Sequence, residues 1–436
     1  MFKTLREAFK MPDVRKKIFI TLFILLIYRI GCWLPVPGID PGVFKAGIEG
    51  SGAKDFLNLM SSLAGGALAN GAILALGVGP YITSSIVMQL MTIAIPSLER
   101  LNKQGDEGRK KIAIYTRYVA LFMSIAQAVA IVTSFAGAGS IMDNIFGAEV
   151  PSIVVSALVI LTLVAGSMFT VWLGDKITEH GVSNGMSMLI FIGIISTGVS
   201  AFFDSIMKVV QDINEIINPL VFIATLLLIF FFIVWVDLAE RRIPVTYAKQ
   251  VKGNKMYGGQ SSVIPIKINA TGVIPIIFAF AMLNFPQLIM SIFWPDSPAY
   301  RWFMLNLGAG TWMNIVLTAL LILGFTYFYA TLSFKPEDVS RQIQQNGGFI
   351  LGYRPGMPTT MYLKKVSNRI TLFGALFLMM MALVPSLIFK AVVPDGGALL
   401  TAFTSIGLLI IVSVALEFDK QLQGQMLMKS YKGFLK

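Results

Sequence analysis

The stretch FLNLMSSLAGGALANGAILALGVGPYITSSIVMQLMTIAIPSL, residues 56–98, contains no charged residue. As one straight helix its 43 residues would measure about 65 Å, roughly twice a bilayer core. A single helix therefore does not account for it. Its second part, 72–95, has spanning length, whereas 56–70 is shorter and carries Asn58, Ser61, Ser62, Gly65, Gly66 and Asn70.

The rest of the chain sets the class. Of 436 residues, 56% are hydrophobic and 13% charged, and the apolar residues gather into windows long enough to span a bilayer. Ten such windows are near 18–34, 72–95, 112–136, 153–173, 186–203, 219–236, 273–293, 313–332, 370–389 and 398–416. The expected fold is an all-α polytopic membrane protein. The first window runs into Pro35-Val36-Pro37-Gly38 rather than a small-residue cleavage site, so no cleavable signal peptide is expected. The single cysteine, Cys32, excludes an intrachain disulfide.

The net charge of +12 is unevenly distributed. Six Lys and Arg precede the first window, six lie in 100–117, six in 241–267, six in 335–369 and four in the tail from Lys420. The intervening loops hold only Lys45, Lys54, Lys208, Arg301 and Lys390. The positive-inside rule then predicts that both termini and the long basic loops are cytoplasmic. On that topology 56–98 crosses an odd number of times, hence once. Two readings of 56–70 remain: a short helix dipping back into the protein from the external side, or an amphipathic segment on the lipid surface.

The interior chemistry counts against a secondary transporter for a small solute, the alternative reading beside a structural scaffold, and against an enzyme. The 23 carboxylates fall in loops or at window ends, which leaves no relay of the kind coupled carriers use. Arg29, near the external end of its window, is expected to snorkel to the interface. A lone histidine, His180, rules out a two-histidine zinc motif, and no phosphate loop occurs, so neither catalysis nor a cofactor is expected. Gly181-Val182-Ser183-Asn184-Gly185 has the spacing of a nucleophile elbow, but reads more simply as a helix start capped by Ser183 or Asn184. Neutral polar residues inside the windows, among them Ser85, Gln89, Thr92, Gln127, Asn269 and Thr271, are expected to bond between helices. Two long basic loops, about 237–267 and 333–369, are expected to be ordered: the first alternates toward a hairpin, and the second carries Gly347-Gly348 and Arg354-Pro355-Gly356 turn chemistry.

Several separated motifs together resemble the bacterial SecY family, pore subunits of the Sec protein translocase. They are Gly65-Gly66-Ala67-Leu68, Ala75-Leu76-Gly77 and Pro80-Tyr81-Ile82, then Lys103-Gln104-Gly105 to Gly108-Arg109-Lys110, and Ile177-Thr178-Glu179-His180-Gly181 to Gly185. Arg241-Arg242, Tyr247-Ala248-Lys249, Gly272-Val273-Ile274-Pro275, Gly352-Tyr353-Arg354-Pro355-Gly356 and Glu417-Phe418 continue the series.

The resemblance implies ten helices in two inverted halves, 1–205 and 206–436, around a central pore, with no catalytic or cofactor role. It implies a plug helix made of Phe56, Leu57, Asn58, Leu59, Met60, Ser61, Ser62, Leu63, Ala64, Gly65, Gly66, Ala67, Leu68, Ala69 and Asn70. A pore ring would be Val78, Ile82, Ile190, Ile194, Ile277 and Ile410. A lateral gate would open between the 72–95 and 112–136 helices and the 273–293 and 313–332 helices, with Thr92, Gln127 and Asn269 as polar candidates. Arg241, Arg242 and Arg354 would dock the SecA motor or the ribosome. SecE and SecG subunits, signal peptides, preprotein or nascent chains and membrane lipid complete the implied partners, at the bacterial cytoplasmic membrane.

Overall fold

The computed structural model describes residues 2–42, 60–136, 144–145, 148–149, 151–211, 217–247, 249–252, 255–258, 261–269, 271–294, 297–308, 311–392 and 405–433. A short α1 (Phe2–Lys10) leads into α2 (Pro12–Gly31). Next come α3 (Gly79–Ala94), α4 (Pro96–Lys103) and α5 (Asp106–Ala136). The hairpin β1 (Asn144–Ile145) and β2 (Ala148–Glu149) precedes α6 (Ser152–His180), α7 (Gly185–Gln211) and α8 (Ile217–Leu238). Strands β3 (Glu240–Tyr247), β4 (Lys249–Lys252), β5 (Lys255–Gly258) and β6 (Ser261–Lys267) then lead to α9 (Ile274–Phe293) and α10 (Pro298–Leu307). The chain ends with α11 (Trp312–Ser333), α12 (Pro336–Gln345), β7 (Gly348–Phe349), α13 (Met357–Val392) and α14 (Ser405–Gly433).

Each of the ten apolar windows falls on one of these helices, although 398–404 lies outside the described residues. Among the described residues five helical stretches are each long and apolar enough to cross a membrane, and α3 with α4 makes a sixth when counted as one bent span. The chain is a multi-pass membrane protein.

The window at 72–95 departs from the expected continuous helix. Residues 72–78 run as turns, and helix begins only at Gly79, with Pro80 in its first turn. Gly71 and Gly77 at φ 57° and 51° take conformations that break a helix, while proline suits a first turn, where its missing N–H costs nothing. The 16 residues of α3 reach about 24 Å. Pro96 then starts α4 after a bend of 99°.

Non-helical backbone at membrane depth is tolerable only inside protein, and 72–78 meets that condition. Ala72, Leu74, Ala75, Leu76 and Val78 are all buried. Ile73 N–H donates to the Leu34 carbonyl at 2.9 Å, Val36 N–H to Gly71 at 2.9 Å, and Ser167 Oγ to the Gly77 carbonyl at 3.3 Å. On α6, Gly166 has no room for a β-carbon, which would collide with the Ile73 carbonyl.

Helices α3, α5, α6 and α7 pack in succession with α2 against α6 and α7, and α8, α9, α11, α13 and α14 form a second group. The groups meet where α5 touches α9 and where α7 touches α14 and α8. Among the described residues both long basic loops carry regular secondary structure. β3 pairs antiparallel with β6 over Glu240↔Lys267 to Thr246↔Ser261, and also with β7 through Thr246↔Phe349 and Tyr247↔Gly348. Strand alternation buries Ile243 and Val245, which join Ile266, Ile343, Ile350 and Leu363 in a small core of their own. The second loop is shorter than its sequence implies, because α12 fills 336–345 and α13 begins at Met357, ahead of the apolar window.

Candidate functional site

Three features stand out along the boundary between the helix groups. The first is the seat of residues 60–70. Helix persists over 60–63 and gives way to turns at Gly65 and Gly66, whose φ values of 70° and 81° favour glycine. Ser61, Ser62, Ala64, Ala67 and Leu68 are buried, which decides for a segment dipping into the protein over one lying on lipid. Phe56, Leu57, Asn58 and Leu59 lie outside the described residues.

The segment's contacts are specific. Arg29 Nη1 donates to the Gly65 carbonyl at 2.6 Å, and Cys32 Sγ to the Ala64 carbonyl at 3.5 Å. Ser62 Oγ and Thr197 Oγ1 are 3.4 Å apart. Arg29 therefore does not simply snorkel, as the sequence implies; it turns inward because the Gly65 carbonyl is in reach. Its guanidinium also lies 5.2 Å from the centre of the Trp33 ring, a cation–π arrangement. Nothing in the local sequence marks this pairing, since the partners are 36 residues apart.

The second feature is an apolar cluster beneath that seat. Val78, Ile190, Ile194 and Ile410 are buried, and Ile82 and Ile277 pack partly buried against the same cluster, which also contains Ala64 and Ala67. The six come from the start and first turn of α3, from α7, α9 and α14, that is, from both helix groups. Asn184 Oδ1 accepts from Met186 N–H at 3.1 Å, so it caps α7, as the helix-start reading requires.

The third feature is a cleft of about 540 Å³ between α3 and α5 on one side and α9 and α11 on the other. Tyr81, Ser85, Gln89 and Thr92 line one wall, Thr116 and Arg109 another, and Thr271, Ile274 and Tyr329 the facing side. Tyr329 Oη donates to Gln89 Oε1 at 3.3 Å across the seam. The Phe278 ring, 5.0 Å from the Tyr329 ring and edge-on, helps hold that orientation. Of the polar candidates, Thr92 lines the cleft and donates to its own helix at Met88. Gln127 is buried on α5, away from the lining, and Asn269 Nδ2 donates to Asp237 Oδ1 at 3.1 Å. Gln89 and Tyr329 are the bridging pair. Gln89 is legible as a polar residue in an apolar window, but a tyrosine gives no such signal.

Beyond the helices, Arg241, Arg242 and Arg354 are exposed on the sheet and its neighbouring turn. Arg242 Nε pairs with Glu240 Oε1 at 2.8 Å, whereas Arg354 lines an open groove of about 660 Å³ with Gln344, Phe349 and Tyr353. Past the apolar part of α14, burial lowers the pKa of Lys420, and the Lys267 charge lowers it further against the opposing pull of Asp237 and Glu240.

Comparison with known proteins agrees with this architecture. The SecY family model matches residues 72–418. The protein translocase subunit SecY of Streptomyces galbus is 40% identical over 441 residues, covering 100% of both chains. That of Thermus thermophilus is 37% identical, covering 100% of this chain and 98% of its own. Among solved structures, a protein conducting channel shares the fold with a TM-score of 0.61 at 18% identity, covering 97% of each chain. Sec61 in the canine ribosome-channel complex from the endoplasmic reticulum does so with a TM-score of 0.57 at 17% identity, covering 97% of each. Matched in sequence from end to end, and in fold to protein-conducting channels, the chain belongs to the SecY family.

Proposed function

We propose that this protein conducts unfolded polypeptides across the bacterial cytoplasmic membrane and releases sufficiently apolar segments sideways into lipid. The observation that carries this is that Val78, Ile190, Ile194 and Ile410, with Ile82 and Ile277 packed against them, belong to one apolar cluster drawn from both helix groups that also contains Ala64 and Ala67. A collar of aliphatic side chains excludes water and ions when idle, because a narrow apolar constriction dewets, yet makes no bond that a passing chain must break. Residues 56–70 act as the plug above it, and 1–205 and 206–436 are the two halves that part.

Lateral exit is assigned to the cleft between α3 and α5 and α9 and α11, whose walls meet through the neutral pair Gln89 and Tyr329, so that parting them breaks a neutral hydrogen bond and not an ion pair. Arg354, with Arg241 and Arg242, faces the cytoplasm and receives the SecA motor or the ribosome, whose carboxylates or phosphates suit a planar guanidinium. Energy enters from SecA ATP hydrolysis, from ribosomal synthesis or from the membrane potential, and SecE and SecG are the companion subunits.

The test is transport of a signal-bearing preprotein into vesicles holding this chain with SecE, SecG, SecA and ATP. Protection of the substrate from added protease is the expected result, together with increased ion leak after deletion of 56–70. Absence of both, with assembly and partners verified, would overturn the assignment.

A further inference from the structure

We propose that Arg29 is the positioning residue that holds the plug in its closed seat, by latching the Gly65 carbonyl. The proposal rests on the plug-and-channel function above and names what keeps that plug in place.

A guanidinium stays charged at any accessible pH, so inside an apolar helix end it is costly unless it is well paired. Here one side of Arg29 faces the Trp33 ring, and Nη1 donates to Gly65 O at 2.6 Å. Such charge-assisted bonds are short and about twice as strong as neutral ones. Among the described residues no backbone N–H bonds this carbonyl. The left-handed turn at Gly65, φ 70°, directs it toward α2.

The same residue also abuts bare backbone: a β-carbon at Gly65 would lie 3.1 Å from Arg29 Nη1 and 3.2 Å from Gly193 Cα. A β-carbon at Gly193 on α7 would lie 2.7 Å from the Leu63 carbonyl and 3.0 Å from Gly65 N. Gly65 therefore packs against both a cation on α2 and a glycine on α7. Among the described residues, Ser62 to Thr197 at 3.4 Å and Cys32 to Ala64 at 3.5 Å also tie the plug to the helices, over longer distances and without a charge. Arg29 thus supplies a short, charged tie between the segment and α2, and loss of its donor shifts the plug toward its displaced state.

The chain supplies its own reporter. Cys32 is the single cysteine, fully buried, with its thiol against Ala64, so displacement of the plug uncovers it. In proteoliposomes holding the full chain with its companion subunits, Cys32 is alkylated with a small polar maleimide and ion leak is recorded. Arg29→Gln and Arg29→Met are compared with the parent and with the 56–70 deletion. Arg29→Met keeps an unbranched stem without a donor, so it preserves packing if the glutamine variant misfolds. We expect alkylation at least tenfold faster in both donor-free variants, with leak rising toward that of the deletion. Arg29→Lys, which keeps a charged donor, should fall between them and the parent. If folded donor-free protein labels and leaks like the parent while the deletion leaks, the protein is a plugged channel and Arg29 is not its latch. If the deletion does not leak either, latch and plug both fall.

Discussion

The Tyr329 hydroxyl donates to Gln89 Oε1 at 3.3 Å, joining α11 to α3 across the boundary between the helix groups. A neutral bond of this kind contributes about 1 kcal/mol, enough to bias a two-state gate roughly fivefold. It closes the seam without locking it.

Tyr329→Phe removes the donor and leaves the ring against Phe278. We expect more efficient transport of a preprotein whose signal segment has been made less apolar, by about two- to fivefold in a protease-protection assay. Gln89→Ala should do the same, and the double variant should add little to either single change, because both remove one bond. Independent, fully additive effects would show that the pair does not act as a bridge.

The apolar collar is testable where the plug no longer masks it. In the 56–70 deletion, Ile194→Ser should raise ion conductance severalfold, since a hydroxyl at a narrow apolar constriction favours wetting. Ile229→Ser, in the same buried cluster but on α8 and outside the collar, provides the control: it should cost stability without raising conductance. Equal conductance in the two variants would argue against the assigned ring.

Gly166 and Gly324 make opposite predictions for the same substitution. A methyl group at Gly166 collides with the Ile73 backbone, whereas one at Gly324 meets nothing within 4 Å. Gly166→Ala should destabilise the protein by about 1–3 kcal/mol, the usual cost of overpacking, while Gly324→Ala should be neutral or slightly stabilising. Thermal denaturation of the purified complex in detergent distinguishes them.

Charge reversal should separate the exposed arginines. Arg354 borders an open groove, whereas Arg242 already pairs with Glu240. Arg354→Glu should lower SecA-driven transport more than tenfold, and Arg242→Glu should have a smaller effect. Both should leave stability within about 0.5 kcal/mol of the parent, as exposed substitutions usually do. Equal transport rates for parent and Arg354→Glu would move the docking site elsewhere.

What the sequence made legible follows from interaction range. Helical windows are local, and each of the ten falls on a helix. The break at 72–78 was visible only as Gly71, Gly77 and Pro80, whose effect depends on α6 and the 34–36 turn accepting non-helical backbone. Gln89 stood out as polar, but its partner lies 240 positions away. Arg29 was conspicuous as a charge and misread, because a carbonyl 36 residues on supplies its ligand. The pairing of β7 with β3 was likewise hidden, since two residues of strand carry almost no local signal.

That pairing has a mechanical consequence. The three-stranded sheet is rooted in α8 through β3, in α9 through β6, and in α11 and α13 through the chain flanking β7. All four helices belong to one group, and α8 and α9 among them also touch the other, at α7 and α5. A load applied near Arg354 is therefore taken up first, through the sheet and its small core, by one side of the molecule. The sheet serves as a handle by which that side can be pushed or pulled against its stationary counterpart.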